Sequence, residues 1–282
     1  ALITPFTKEA KVDYKALHRL INRQIREGAD FLCILATTAE APCLSGDEKE
    51  EIKKQIIEIV GGKVPILMGC GGNNTSEVVD ALLTEDFTGV DGILSVCPYY
   101  NKPTQEGLYQ HFRAIAAATS LPIVLYNVPS RTGVNLTADT TIRLATDCDN
   151  IVAIKEASCN LKQIEEICRR KPDGFDVLSG DDATTADIIR LGGSGVISVI
   201  GNALTQQFSE LTHKAMEGQD AEVMALQNKL EKMYKLLFVD GNPAGIKALL
   251  SLQNRITNIL RLPLVPATES TQQAIKEVYL NV

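Results

Sequence analysis

The 282 residues leave room for two small domains or for a single α/β barrel of roughly 250 residues with a short appendage. Hydrophobic residues make up 45% and charged residues 22%, the ordinary balance of a globular protein that buries one large core. A formal net charge of −7 argues against a nucleic-acid or anionic-membrane surface, both of which need clustered Lys and Arg, and directs attention to small molecules.

The opening residues, Ala1-Leu-Ile-Thr-Pro-Phe6, read as a strand already under way, so the natural chain is expected to begin further upstream. Short apolar runs rich in β-branched residues then recur about every 25 to 30 residues, the rhythm of successive βα units. Eight are expected, at Ala1–Thr4, Phe31–Ala36, Pro65–Cys70, Gly92–Cys97, Pro122–Tyr126, Ile151–Lys155, Phe175–Ser179 and Gly195–Val199. Amphipathic segments such as Tyr14–Glu27, Asp47–Val60 and Glu106–Ala118 lie between them, long enough to cover a parallel sheet. Eight such units predict a TIM (β/α)8 barrel over residues 1–205.

After Asn202 the strand signal stops. A helix is expected over Gln219–Phe238 and another opening at Asn242-Pro243, with Asn as cap and Pro in the first turn. The last helix is expected to follow Ser270 and Gln273, which have capping-box spacing. Residues 206–282 therefore read as a C-terminal helical appendage packed on the barrel, since no linker or low-complexity tract separates them. No run of ~18 apolar residues is present to span a bilayer, and no basic-then-apolar signal opens the chain. Seven scattered cysteines (Cys33, Cys43, Cys70, Cys97, Cys148, Cys159, Cys168), an odd number without a C-x-x-C pair, suggest reduced thiols and a cytoplasmic location.

The chemistry-bearing residues cluster at expected strand ends. In Ile151-Val-Ala-Ile-Lys-Glu-Ala157 a lysine sits inside an apolar strand pattern, with Ile151, Ala153 and Lys155 on one face. Catalytic groups of such barrels lie at the C-terminal ends of strands, where Lys155 falls. A lysine amine attacks a ketone only when neutral, which burial in an apolar lumen favours. The alternative is a strand-end lysine that snorkels to solvent or pairs with Glu156. Tyr126 ends the preceding expected strand and Arg131 lies in the loop beyond it. The first is able to relay protons and the second to clamp a carboxylate, although a core tyrosine and a solvated arginine fit the same pattern. Ala36-Thr37-Thr38-Ala39-Glu40 places two hydroxyls and a run of backbone N–H groups at another strand end, suited to a carboxylate or a proton chain, or simply to a β-branched strand. Pro98-Tyr99-Tyr100-Asn101 puts two aromatics on a loop at the same end, a feature common at interfaces. A metal-dependent barrel would need converging His, Asp and Glu ligands; the three histidines (His18, His111, His213) fall in helical segments, so no metal and no cofactor are expected.

Thr37-Thr38, Pro98-Tyr99-Tyr100-Asn101, Tyr126-Asn-Val-Pro-Ser-Arg-Thr-Gly133, Ile154-Lys155-Glu156-Ala157 and Ser179-Gly180-Asp181-Asp182 together closely resemble the dihydrodipicolinate synthases, within the wider family of N-acetylneuraminate lyases and pyruvate-dependent class I aldolases. The resemblance runs along nearly the whole chain. It implies a lyase of diaminopimelate and lysine biosynthesis in which Lys155 binds pyruvate as an imine and the derived enamine attacks L-aspartate 4-semialdehyde. It further implies that Tyr126, Thr37 and Tyr100 form a proton relay, with Tyr100 supplied by a neighbouring subunit. Thr38 would hold the pyruvate carboxylate, Arg131 the carboxylate of the semialdehyde, and Gly180 and Ile197 would line the pocket. A homodimer would be the minimum active unit and a homotetramer of two tight dimers the assembly. The Lys and Tyr motifs are shared with N-acetylneuraminate lyases and keto-sugar-acid aldolases, which remain the second reading; Arg131 in its Ser-Arg-Thr-Gly setting is the more selective mark.

Two departures stand out. The family's usual Gly-Thr-Thr-Gly-Glu appears as Ala36-Thr37-Thr38-Ala39-Glu40, where each added methyl narrows the backbone's freedom beside the carboxylate site. Asn73, Glu77 and Tyr99 match the family's allosteric lysine site. Gly46 and Lys49, however, replace its polar or imidazole groups, and a cationic Lys49 would repel lysine.

Overall fold

The structure, a computed structural model, describes residues 1–281; the final residue of the segment expected over 206–282 lies outside the described residues. Seven strands form one sheet in consecutive order, β1 (Leu32–Ile34), β2 (Ile66–Gly69), β3 (Gly92–Val96), β4 (Ile123–Asn127), β5 (Ile151–Glu156), β6 (Asp176–Ser179) and β7 (Gly195–Val196). Pairs from β2 to β7 are parallel. Helices α1 (Tyr14–Arg26), α2 (Gly46–Val60), α3 (Thr75–Thr84), α4 (Gln105–Ala117), the one-turn α5 (Pro129–Thr132), α6 (Ala138–Asp147), α7 (Leu161–Arg170) and α8 (Thr185–Arg190) alternate with the strands. Four helices follow in a row: α9 (Thr205–Met216), α10 (Asp220–Leu236), α11 (Ala244–Leu252) and α12 (Glu269–Tyr279).

The first expected strand, Ala1–Thr4, is not a regular strand. The segment nevertheless occupies a strand's place, because Leu2 N–H donates to Cys33 O in β1 at 2.8 Å and Ala1 N donates to Ser198 O at 2.9 Å. Its third contact leaves the ladder, since Ile3 N–H donates to the side chain of Asn202 at 3.1 Å. That diversion interrupts the pairing which would make a strand. The last expected strand likewise shortens from Gly195–Val199 to Gly195–Val196. The result is an α/β barrel of the (β/α)8 kind with seven regular strands and one irregular one.

By contact the chain divides into two compact units, residues 1–66 with 198–282, and residues 67–197. In the unit 67–197, the interior strands are buried on both faces; all five residues of β4 are buried, as expected of a parallel strand between lumen and helices. Helices begin where a side chain accepts a free N–H: Asn74 caps α3, Thr104 caps α4, Thr137 caps α6 and Asn160 caps α7.

In the unit 1–66 with 198–282, Ser45 and Glu48 form the capping box of α2, which ends on Gly61 in the left-handed region. Arg261 donates to both oxygens of Glu48 at 2.6 Å and holds that carboxyl down at about 2. Two caps differ from expectation. Helix α11 starts at Ala244 after Pro243 rather than at Asn242, whose side chain is engaged elsewhere. Helix α12 starts at Glu269 with Thr268 as its cap, not Ser270; Thr268 accepts from Thr271 N–H and is itself fixed by Asp240 at 2.9 Å. Gly245 lets α11 approach the end of α10, for a Cβ there would lie within 2.6 Å of the Leu237 carbonyl carbon. Gly245→Ala is expected to destabilise the protein by about 1–3 kcal/mol, read as a lower urea midpoint with an unchanged slope.

Candidate active site

Within the unit 67–197, the register of β4 against β5 sets Tyr126 opposite Lys155 and Asn127 opposite Glu156. Alternation then sends Tyr126 and Lys155 to one face and their successors to the other. The Lys155 ammonium position lies 4.3 Å from the centre of the Tyr126 ring. Lys155 is 5% exposed and makes no ion pair among the described residues, which decides against a snorkelling lysine or one paired with its neighbour.

Glu156 instead points into a closed polar cluster. Asn127 Nδ2 donates to both of its oxygens at 3.1 Å, Gln163 Nε2 donates at 2.9 Å and Ser158 N–H at 2.8 Å. Burial pushes the Glu156 carboxyl up, and these donors oppose the rise. Asn127 also holds the loop after α5 by accepting from Leu136 N–H at 2.9 Å. The residues following Tyr126 and Lys155 therefore lock the relative placement of the two strands that carry them.

Other expected residues of this unit fall on the segments after β2, β3, β4, β6 and β7. Arg131 sits in α5, whose turn closes on Gly133 in the left-handed region. Tyr100 adopts a positive φ of 73°, and its N–H reaches Thr132 O in the same turn at 3.4 Å. Tyr100 is 89% exposed. Gly180 follows β6, where a Cβ would stand 2.6 Å from the Ala157 Cβ; only glycine allows this approach next to the lysine strand. Ile197 is buried and donates its N–H to Ser179 O at 2.9 Å. Asn73 Nδ2 donates to Tyr99 O at 3.2 Å and Asn101 Nδ2 to Asn73 O at 3.0 Å, bringing two of the three expected lysine-site residues together; the third, Glu77, is tied to Asn74 at 2.9 Å.

Thr37 and Thr38 belong to the other unit. They form a tight turn (Thr37–Ala39) rather than the end of a strand. The substituted alanines do not demand glycine's freedom: Ala36 is extended, with φ −97°, and the left-handed residue is Glu40, with φ 56°. Thr4 Oγ1 donates to Ala39 O at 2.8 Å, and Asn242 Nδ2 donates to Thr38 Oγ1 at 2.9 Å. The Glu40 carboxylate is ion-paired with Lys247 and accepts from Arg261 N–H at 3.0 Å. Lys247 is fully buried over the Phe6 ring at 4.1 Å. Burial pulls its ammonium down to about 8, against the opposing pull of Glu40.

Neither the Asn242–Thr38 bond nor the Glu40–Lys247 ion pair was legible in the sequence. Asn242-Pro243 looks like a helix start, and a lysine inside Ala244-Gly-Ile-Lys-Ala-Leu-Leu250 was the available signal for a second buried ammonium. All seven cysteines are free; burial, with the Glu156 charge nearby, pushes the Cys97 thiol up, so it behaves as a small apolar residue. Among the described residues no group of three or more His, Cys, Asp and Glu is placed to hold a metal ion.

The fold is thus a parallel α/β barrel that carries a buried lysine without an ion partner at the end of a strand and a phenol beside it. The model of the dihydrodipicolinate synthetase family matches residues 1–280, and the chain belongs to that family. It is 54% identical to the 4-hydroxy-tetrahydrodipicolinate synthase of Phocaeicola vulgatus over 99% of this chain and 94% of that protein. Among solved structures, a monomeric dihydrodipicolinate synthase variant superposes with a TM-score of 0.97 at 40% identity, covering 100% of this chain and 94% of that one. The chloride-inhibited dihydrodipicolinate synthase of Acinetobacter baumannii, complexed with pyruvate, superposes with a TM-score of 0.96 at 37% identity, covering 100% and 96%. The chain is accordingly an enzyme of the lyase class.

Proposed function

We propose that the chain works as a 4-hydroxy-tetrahydrodipicolinate synthase, condensing pyruvate with L-aspartate 4-semialdehyde through a Schiff base on Lys155. The observation that carries this reading is the Lys155 amine, buried without an ion partner and set over the Tyr126 ring. In the reaction, Nζ attacks the ketone of pyruvate and water leaves, giving an iminium. Loss of a methyl proton then gives an enamine, whose carbon attacks the aldehyde, and the amine of the semialdehyde closes the ring with release of Lys155. Tyr126 and Thr37, with the Tyr100 of a second copy, move the protons; Thr38 receives the pyruvate carboxylate and Arg131 that of the semialdehyde. Gly180 and Ile197 line the pocket near the imine.

In this reading the barrel spans 1–205 and residues 206–282 are its helical appendage. The outward Tyr100 ring favours a dimer as the working unit, assembled in pairs to a tetramer, and the unbonded cysteines favour the cytoplasm. Asn73, Glu77 and Tyr99 are the residues to which lysine would bind as a regulator.

A coupled assay that consumes pyruvate together with aspartate semialdehyde tests the substrate assignment. Turnover of N-acetylneuraminate or a keto-sugar acid in its place would move the chain to the sibling aldolases. Tyr126→Phe, which removes only a hydroxyl, is expected to lower kcat roughly 100- to 10,000-fold. Borohydride with pyruvate should still trap an adduct on Lys155 in that variant, measured by intact mass.

A further inference from the structure

We propose that Asn242, at the entry to α11, is a positioning residue that turns the Thr38 hydroxyl toward the carboxylate of the 2-oxo acid. The inference rests on the reading of Thr38 as the carboxylate-binding hydroxyl and adds the group that makes it a donor. A hydroxyl has one proton to give and two lone pairs to offer. The amide of Asn242 donates to Thr38 Oγ1 at 2.9 Å, and both side chains are buried. One lone pair is thereby occupied, so the hydroxyl proton must point away from Asn242. Among the described residues that proton has no protein acceptor. An unspent donor at a site only 3% exposed is what an incoming carboxylate requires, and is costly to leave unused.

The backbone around Thr38 is fixed independently of Asn242. Leu35 and Glu40 both adopt left-handed φ values, 51° and 56°, on either side of the turn, a conformation that persists only where the surroundings hold it. Thr4 holds the Ala39 carbonyl, while Lys247 and the Arg261 N–H hold Glu40. With the chain pinned on both sides, the remaining freedom is rotation of the hydroxyl, and Asn242 removes it. The helical segment after the barrel thus takes part in substrate recognition.

The test is steady-state kinetics with pyruvate varied at saturating semialdehyde. Asn242→Asp keeps the shape but offers only acceptors, so it captures the Thr38 proton and turns lone pairs toward the substrate anion. KM for pyruvate is expected to rise roughly 10- to 100-fold, with a smaller change in kcat. Asn242→Ala, which only frees the rotor, should raise KM about threefold to tenfold, and it keeps the test alive should the aspartate variant not accumulate. Thr38→Val should raise KM as well, and Asn242→Ala added to Thr38→Val should raise it no further. Equal effects of Asn242→Ala with and without the Thr38 hydroxyl would overturn the proposal, because a merely structural asparagine acts in both backgrounds. So would an unchanged KM in both Asn242 variants. If Thr38→Val itself leaves KM unchanged, the carboxylate assignment of Thr38 fails first, and the proposal falls with it.

Discussion

Lys155→Ala is expected to lose at least roughly four orders of magnitude in turnover, because the covalent route disappears with the amine. The neighbouring groups make this an informative deletion. Glu156 is held by Asn127, Gln163 and Ser158 on the opposite face of β5, so removing the Lys155 side chain leaves no newly unpaired carboxylate. The variant should therefore stay folded, with a melting temperature near that of the parent. Mass spectrometry after borohydride treatment with pyruvate should show the reduced adduct in the parent and none in the variant. An adduct that survives in Lys155→Ala would sink the assignment and transfer suspicion to the other buried lysines, Lys53 and Lys247. An adduct in the parent without consumption of aspartate semialdehyde would keep the Schiff base but change the acceptor.

Lys247→Met is expected to cost about 3–5 kcal/mol of stability, the penalty for leaving one partner of a buried ion pair uncompensated. Lys247 and Glu40 are both essentially inaccessible, and the remaining donor to Glu40 is the Arg261 N–H at 3.0 Å. The loss should appear as a lower urea midpoint and as a melting temperature lower by roughly 10 °C. Glu40→Gln combined with Lys247→Met removes both charges and keeps an acceptor for Arg261 N–H. Most of the stability should return in that double variant, since replacing a whole buried pair is often close to neutral. A single-variant cost below about 1 kcal/mol would show that the pair is not what holds the turn.

The barrel was legible because its signals are local and repeated. Apolar runs of strand length alternating with amphipathic segments recur along the chain, and each expected helix boundary among Tyr14–Glu27, Asp47–Val60 and Glu106–Ala118 lies within one residue of the observed one. Lys155 and Tyr126 were legible for the same reason, as charged or polar residues at the ends of otherwise apolar strands. The departures occur where a side chain makes a distant bond. Asn242 looks like a cap and instead holds Thr38, 204 positions away in sequence. Asn202 draws Ile3 N–H out of a ladder, which turns an expected strand into an irregular segment. Thr268 displaces Ser270 as the cap of α12 because Asp240, in the loop between α10 and α11, fixes it there.

Composition, period and motif by themselves determined the fold class and the strand that carries Lys155, with Tyr126 beside it, because spacing along a strand or helix fixes which residues share a face. Tertiary structure alone decided that Lys155 is left without an ion partner while Glu156 is fully satisfied, and that Lys247 is paired with Glu40. It alone decided that the Thr38 hydroxyl has one lone pair taken by the Asn242 amide. Those outcomes depend on which donors and acceptors from far-apart segments meet in a site that water does not reach, and no local pattern of residues encodes such a meeting.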